Sequence, residues 1–159
     1  MRFHVRVITG ELASAVALAV LPGIEARQAA SQPGHVIVPA DKVAFAPIEV
    51  PGFQTGMKIA VINGDPNAES GAYVIRLQFP DGYKFPAHWH PMAENLTVLS
   101  GTFILGMGDK ADNSKLVTYR PGAFMSIPAK MAHFGGAKGA TVVQLHGQAP
   151  FKIELVSPK

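Results

Sequence analysis

His88, His90 and Glu94 fall in the pattern His-x-His-x-x-x-Glu, and His133 follows further along the chain. Imidazole nitrogens and carboxylate oxygens are ligand atoms for divalent metal ions. Along an extended strand, residues i and i+2 project from the same face. His88 and His90 therefore aim together, while Trp89 points away. Glu94 lies past Pro91 and can return a carboxylate to the same point from the next strand. His133 has to come from a strand distant in sequence and brought alongside. Three neutral imidazoles and one carboxylate suit Mn, Fe, Co, Ni, Cu or Zn, so one divalent transition metal is the expected cofactor. An octahedral ion would keep two positions open for water, substrate or dioxygen, whereas a tetrahedral zinc would be closed by four protein ligands. Two plainer readings stand beside this one. The histidines are satisfied polar core residues, or the metal only ties strands together.

The elements that must position these groups are short strands. The chain has 159 residues, enough for one domain with a real core. Sixteen glycines and thirteen prolines punctuate it, which suits strands joined by turns. Residues 72–79 alternate, with Tyr73, Ile75, Leu77 and Phe79 on one face and Val74, Arg76 and Gln78 on the other. Further strands are expected at 57–62, 85–90, 94–99, 102–107, 115–119, 123–127, 131–134, 140–146 and 151–156. Ser100-Gly101 between two of them reads as a tight hairpin. No helical period is sustained after residue 31 and no repeat is visible. The expected fold is all-β, a single antiparallel jelly-roll barrel. Residues 31–56, rich in proline, read as an arm lying over the barrel or over a partner subunit, and 57–159 as the barrel domain.

With a net charge of +3 and no stripe of Lys or Arg, nucleic acid is a poor partner. The absence of cysteine excludes disulfides, thiolate ligation and a cysteine nucleophile. Residues 1–30 read as a secretory signal. Arg2 and Arg6 precede an apolar run from Leu12 to Leu21, and Ala26, Ala29 and Ala30 follow. An N-terminal helix packed on the domain is the alternative. The run is too short for a membrane span, which needs roughly 20 apolar residues. The protein is expected to be exported, to a periplasm or beyond the cell.

The spacing of His88, His90, Glu94 and His133 would be unusual by chance, and it resembles that of a known family. Gly82, five residues, His88-Trp89-His90, three residues, Glu94, six residues and Gly101 match the first motif of the cupin superfamily. Gly122, five residues, Pro128-Ala129-Lys130, two residues and His133 follow its second motif. Lys130 stands where that motif has glycine, and Ala137 where it has asparagine, both at turn or flanking positions. The resemblance implies a small double-stranded β-helix barrel with one metal near its wider mouth. It also implies His88, His90, Glu94 and His133 as the ligands.

Around such a centre, Gln144 and His146 share one face of a late strand and could enter the cavity as a second layer of donors or a proton shuttle. The competing arrangement turns Val143 and Leu145 inward instead. Arg76 and Gln78 pose the same question, and Tyr73 could be a general acid or a core residue. Phe103, Leu105, Met107, Phe124, Met125, Ile127 and Phe134 supply apolar walls. The expected function is a metal-dependent enzyme acting on a small organic molecule, with dioxygenase chemistry first and isomerase or lyase chemistry next. Glu94 would be both a ligand and a proton acceptor. The alternative is a non-catalytic module or sensor that binds a metal and a ligand. A homodimer is expected, since many single-domain cupins pair through exposed strands.

Overall fold

Alternating burial along the strands decides which side chains meet in the middle of this molecule. The computed structural model describes residues 34–156. The expected signal segment, 1–30, lies outside them. Nine strands run in chain order: β1 (Ala46–Pro47), β2 (Lys58–Asn63), β3 (Ala72–Phe79), β4 (Lys84–Trp89), β5 (Glu94–Met107), β6 (Val117–Tyr119), β7 (Phe124–Ile127), β8 (His133–Gln148) and β9 (Glu154–Leu155). Two single 3-10 turns, Ala40–Lys42 and Asn113–Lys115, are the only helical elements among the described residues. Every pairing is antiparallel.

Two long strands organise the barrel. β5 and β8 lie side by side from Asn95 opposite His146 to Met107 opposite His133. The early part of β5 has β7 on its other side, and its late part has β6. The late part of β8 has β3 beside it, and its early part has β4. The result is two sheets that share β5 and β8: β1-β2-β3-β8-β5-β7 and β9-β4-β8-β5-β6. This is the all-β antiparallel jelly roll expected from the strand pattern.

The expected hairpin at Ser100-Gly101 is instead a corner within one continuous strand, and 131–134 and 140–146 likewise merge into β8. The β5–β8 register shifts on both sides of Ser100, and such bulges bend a strand sharply. Gly101 there has φ 74°, and a Cβ on it would collide with the carbonyl of Ala140 and with Thr141. The buried Thr141 closes the corner. Its hydroxyl accepts from the Thr102 N–H at 3.0 Å and lies within bonding distance of two carbonyls. The glycine marks a change of chain direction, though not the hairpin expected from sequence. The sheet pairing absent from the sequence made it a bend rather than a reversal.

Tyr73, Ile75, Leu77 and Phe79 all face the interior, as their alternation predicts. They meet Val98, Val143 and Leu145 from the neighbouring strands, each no more than 1% exposed. Burying a side chain of this size contributes about 1.5–3 kcal/mol. At one end Phe79, Tyr83, Phe85 and Phe103 pack ring against ring, with centroids 5.2–6.2 Å apart. The segment before β2 packs onto the same core through Ile48, Val50 and Phe53. It is tied down by Gln54, whose carbonyl accepts from the Tyr83 hydroxyl at 2.7 Å and whose side chain accepts from the Lys84 N–H at 2.8 Å.

Candidate metal centre

A bulge in β4 turns its histidines inward. Phe85 is opposite Gly135 and His88 is opposite His133, so three steps along β4 match two along β8. Pro86 sits in that bulge, a place where its missing N–H does no harm to the ladder. Phe85, His88 and His90 are consequently all buried, which strict alternation would not allow. His88 and His133 are direct cross-strand partners with ring centroids 4.3 Å apart. The His90 ring is 5.0 Å from His88 and 5.3 Å from His133. Glu94 opens β5 opposite Ile127 and comes from the facing sheet.

The four groups converge. One ring nitrogen from each of His88, His90 and His133 lies within 4.8 Å of the other two. The Glu94 Oε2 is 3.6 Å from His90 Nε2 and 3.4 Å from His133 Nε2. All four residues are buried, at 6% exposure or less.

The rings are held from behind by backbone carbonyls. His88 Nδ1 donates to Pro86 O at 2.9 Å, His90 Nδ1 to Lys152 O at 2.7 Å, and His133 Nδ1 to Met131 O at 3.1 Å. A carbonyl only accepts, so the proton on each of these bonds belongs to Nδ1. In the neutral imidazole that leaves the Nε2 lone pair for a ligand. Such outer hydrogen bonds fix the tautomer and aim of metal-binding histidines. His90 Nε2 is fully buried with no hydrogen-bond partner, a costly arrangement unless something else occupies that direction.

The electrostatics favour the same forms. Burial, reinforced by the neighbouring His133, pushes His88 down to about 3, against a weaker opposing pull from its bond to Pro86. Burial also lowers His90. For Glu94, burial alone would raise the carboxyl. Its hydrogen-bonded contact with His133, and the attraction of any histidine that is protonated, outweigh burial and hold it below the usual carboxylate range. Neutral imidazoles around an ionised carboxylate are the forms that bind a cation. The donor set therefore fits a divalent transition-metal ion, and the partnerless His90 nitrogen is the observation that tests the fit.

An interior cavity of about 40 Å³, measured as the space open to the centres of water-sized molecules, reaches this group. His88, His90, Glu94 and His133 are its polar lining, and every other lining side chain is apolar. Of the walls expected from sequence, Phe103, Leu105 and Ile127 line it. Met107 and Phe124 are exposed, and Phe134 is buried elsewhere. Sequence reasoning missed Phe53 and the C-terminal Phe151 and Ile153. Phe53 meets the edge of His88 at 5.0 Å, and Phe151 stacks on His90 at 5.1 Å. Nothing local marks these residues, since each reaches the site only through the path of a connecting segment.

Gln144, His146, Arg76 and Gln78 do not reach the cavity. Val143 and Leu145 take the interior, so their strand neighbours Gln144 and His146 face outward, where Gln144 accepts from Arg76 Nε at 3.0 Å. Burying the apolar pair wins because the polar pair would need partners inside. Tyr73 is buried but does not line the cavity. Its ring packs on Phe151 at 5.7 Å. Burial and the charge of Glu94 push its hydroxyl up to about 12, so it keeps its proton.

This barrel, with its inward histidines, defines the cupin class of proteins. A cupin-domain family profile matches residues 75–146, so this stretch of the chain is a cupin domain, and solved structures share its fold. The polyketide cyclase RemF from Streptomyces resistomycificus superposes with a TM-score of 0.63 at 16% identity, covering 79% of this chain and 88% of that one. A candidate acetylacetone dioxygenase from Methylibium petroleiphilum gives 0.61 at 17%, covering 81% and 88%. A cupin 2 conserved barrel domain protein from Rhodopseudomonas palustris gives 0.57 at 16%, covering 71% and 77%. At these identities the likeness is one of fold. No curated protein matches the sequence.

Proposed function

We propose that this cupin is a metal-dependent enzyme acting on a small organic molecule, with His88, His90, Glu94 and His133 as ligands to one divalent transition metal. Dioxygenase chemistry is the first reading, and isomerase or lyase chemistry the next. One observation carries it. A ring nitrogen from each of three histidines and a carboxylate converge at the wall of an apolar cavity, and one of those nitrogens, His90 Nε2, has no hydrogen-bond partner. A polar cluster kept only for packing leaves few buried donors or acceptors unmatched.

When bound, such a metal supplies Lewis-acid polarisation of a substrate oxygen and, if redox-active, access to dioxygen chemistry. The chain's own groups do the rest. Pro86, Lys152 and Met131 carbonyls hold the three rings in one tautomer. Glu94, held ionised with Oε2 facing His90 and His133, is the group that would accept a proton in a later step. Phe53, Phe151 and Ile153 exclude water. The similar structures include a cyclase and a candidate dioxygenase, so the barrel suits either kind of chemistry.

Elemental analysis of the purified protein, followed by oxygen uptake with Fe, Mn, Ni or Cu loaded in turn, tests this reading. About one ion per chain and metal-dependent turnover are expected. A protein that holds no transition metal ends the proposal. One that binds metal and ligand without turnover belongs to the binding-module alternative.

Export rests on the sequence of residues 1–30, and the mass of the mature N-terminus checks it. A homodimer is also part of the proposal. β1 and β9 end the strand order and leave edges for pairing, and sedimentation measures the assembly.

A further inference from the structure

The cavity wall carries information about the charge of what enters. Beyond the four proposed ligands it has no Lys, Arg, Ser, Thr, Asn, Gln or Tyr side chain. Phe53, Phe85 and Phe151 flank the histidine rings, and Leu77, Leu96 and Val143 are among the other apolar groups that line the space. Any charge placed there must be balanced by the centre itself, because burying an unpaired charge among apolar groups is very costly.

The centre's own charge is small. A divalent ion held by three neutral imidazoles and the Glu94 carboxylate leaves one net positive charge. A ligand bearing one negative charge neutralises it. A dianion leaves an uncompensated negative charge that no side-chain donor of the lining meets. A ligand with a remote carboxylate, phosphate or ammonium faces the same problem against the wall. Arg76, the cation suggested by sequence as a carboxylate partner, is on the outer face bonded to Gln144.

We infer that the substrate is a small molecule that enters uncharged, releases at most one proton to solvent on binding while Glu94 stays ionised, and presents an otherwise apolar body to the cavity. This rests on the metal-centre reading and narrows it. Sugar acids, dicarboxylates and phosphate esters are excluded as substrates. Neutral carbonyl, enol or phenol-type molecules with one acidic proton fit.

The test uses the full chain loaded with Co(II) and two small chelators that form the same five-membered ring through two oxygens. Acetohydroxamic acid loses one proton and carries a methyl group, while oxalate is a dianion. Titrations followed by the Co(II) visible spectrum give both affinities, and the same titrations on aqueous Co(II) give the reference ratio. The protein is expected to shift that ratio toward acetohydroxamate by at least about tenfold, the effect of about 1.4 kcal/mol. An unshifted ratio, or one shifted toward oxalate, overturns the inference while leaving the metal centre intact. Failure to take up Co(II) at all overturns the underlying reading instead.

Discussion

The backbone N–H of Lys130 donates to the carbonyl of His90 at 2.8 Å. Lys130 does so from a left-handed conformation, φ 62°, at the third position of a turn closed by the Met131 N–H on the Pro128 carbonyl. The cupin motif has glycine at this position, and the chain keeps the backbone shape without the residue that adopts it freely. One hydrogen bond thus ties the turn preceding His133 to the strand end that carries His90.

Lys130→Gly should therefore be tolerated and stabilising. Relief of the left-handed strain is worth about 1–2 kcal/mol, and the added freedom of glycine in the unfolded chain takes back about 0.5–1 kcal/mol. A net gain of up to about 1.5 kcal/mol is expected in urea denaturation. Lys130→Val should lose at least that much, since a β-branched residue resists positive φ. Equal stability of the two variants would contradict the strain.

Metal removal should lower the melting temperature of the wild type. A ligand present at a thousandfold excess over its Kd stabilises the folded state by about 4 kcal/mol. Glu94→Gln keeps the shape of the side chain and removes its charge. It should fold, bind metal more weakly by about tenfold or more, and lose turnover. If Glu94→Gln only lowers the melting temperature and leaves turnover intact, the carboxylate is structural.

The metal-free protein should weaken in acid. His88 titrates near 3 in the fold and near 6.5 when unfolded, so between those values the unfolded chain holds the extra proton. Its contribution is complete above about pH 6.5 and falls as pH drops toward 3, by at most about 1.4 kcal/mol per pH unit. His90 shifts in the same direction. Glu94, lowered as well, adds a loss below its unfolded value. Urea midpoints of the chelator-treated protein at pH 8, 7, 6 and 5 should be level at first and then descend. A midpoint unchanged down to pH 5 would show that these groups are not buried as described.

Gly101→Ala should cost about 2–4 kcal/mol, combining left-handed strain with a collision against the neighbouring strand. Thermal unfolding measures it. A loss under about 0.5 kcal/mol would mean that the corner of β5 relaxes readily.

His146→Ala and Gln144→Ala should leave metal content and affinity within about twofold of wild type, because both side chains lie outside the cavity. Metal titration of the two variants decides it. A tenfold loss in either would put that residue in contact with the centre.

Much of this was legible in the sequence. The i, i+2 pair His88 and His90 and the alternation from Tyr73 to Phe79 depend on local backbone geometry, which a strand imposes wherever it sits. Fold class followed from the same periodicity and from the spacing of glycine and proline. Tertiary structure alone decided the rest, because strand pairing and the path of connecting segments join residues that no local pattern links. It turned Ser100-Gly101 into a corner by setting β5 along β8. It gave Val143 and Leu145 the interior and sent Gln144 and His146 out. It set His133 opposite His88, and it brought Phe53, Phe151 and the Lys152 carbonyl to the histidines from the two ends of the barrel chain.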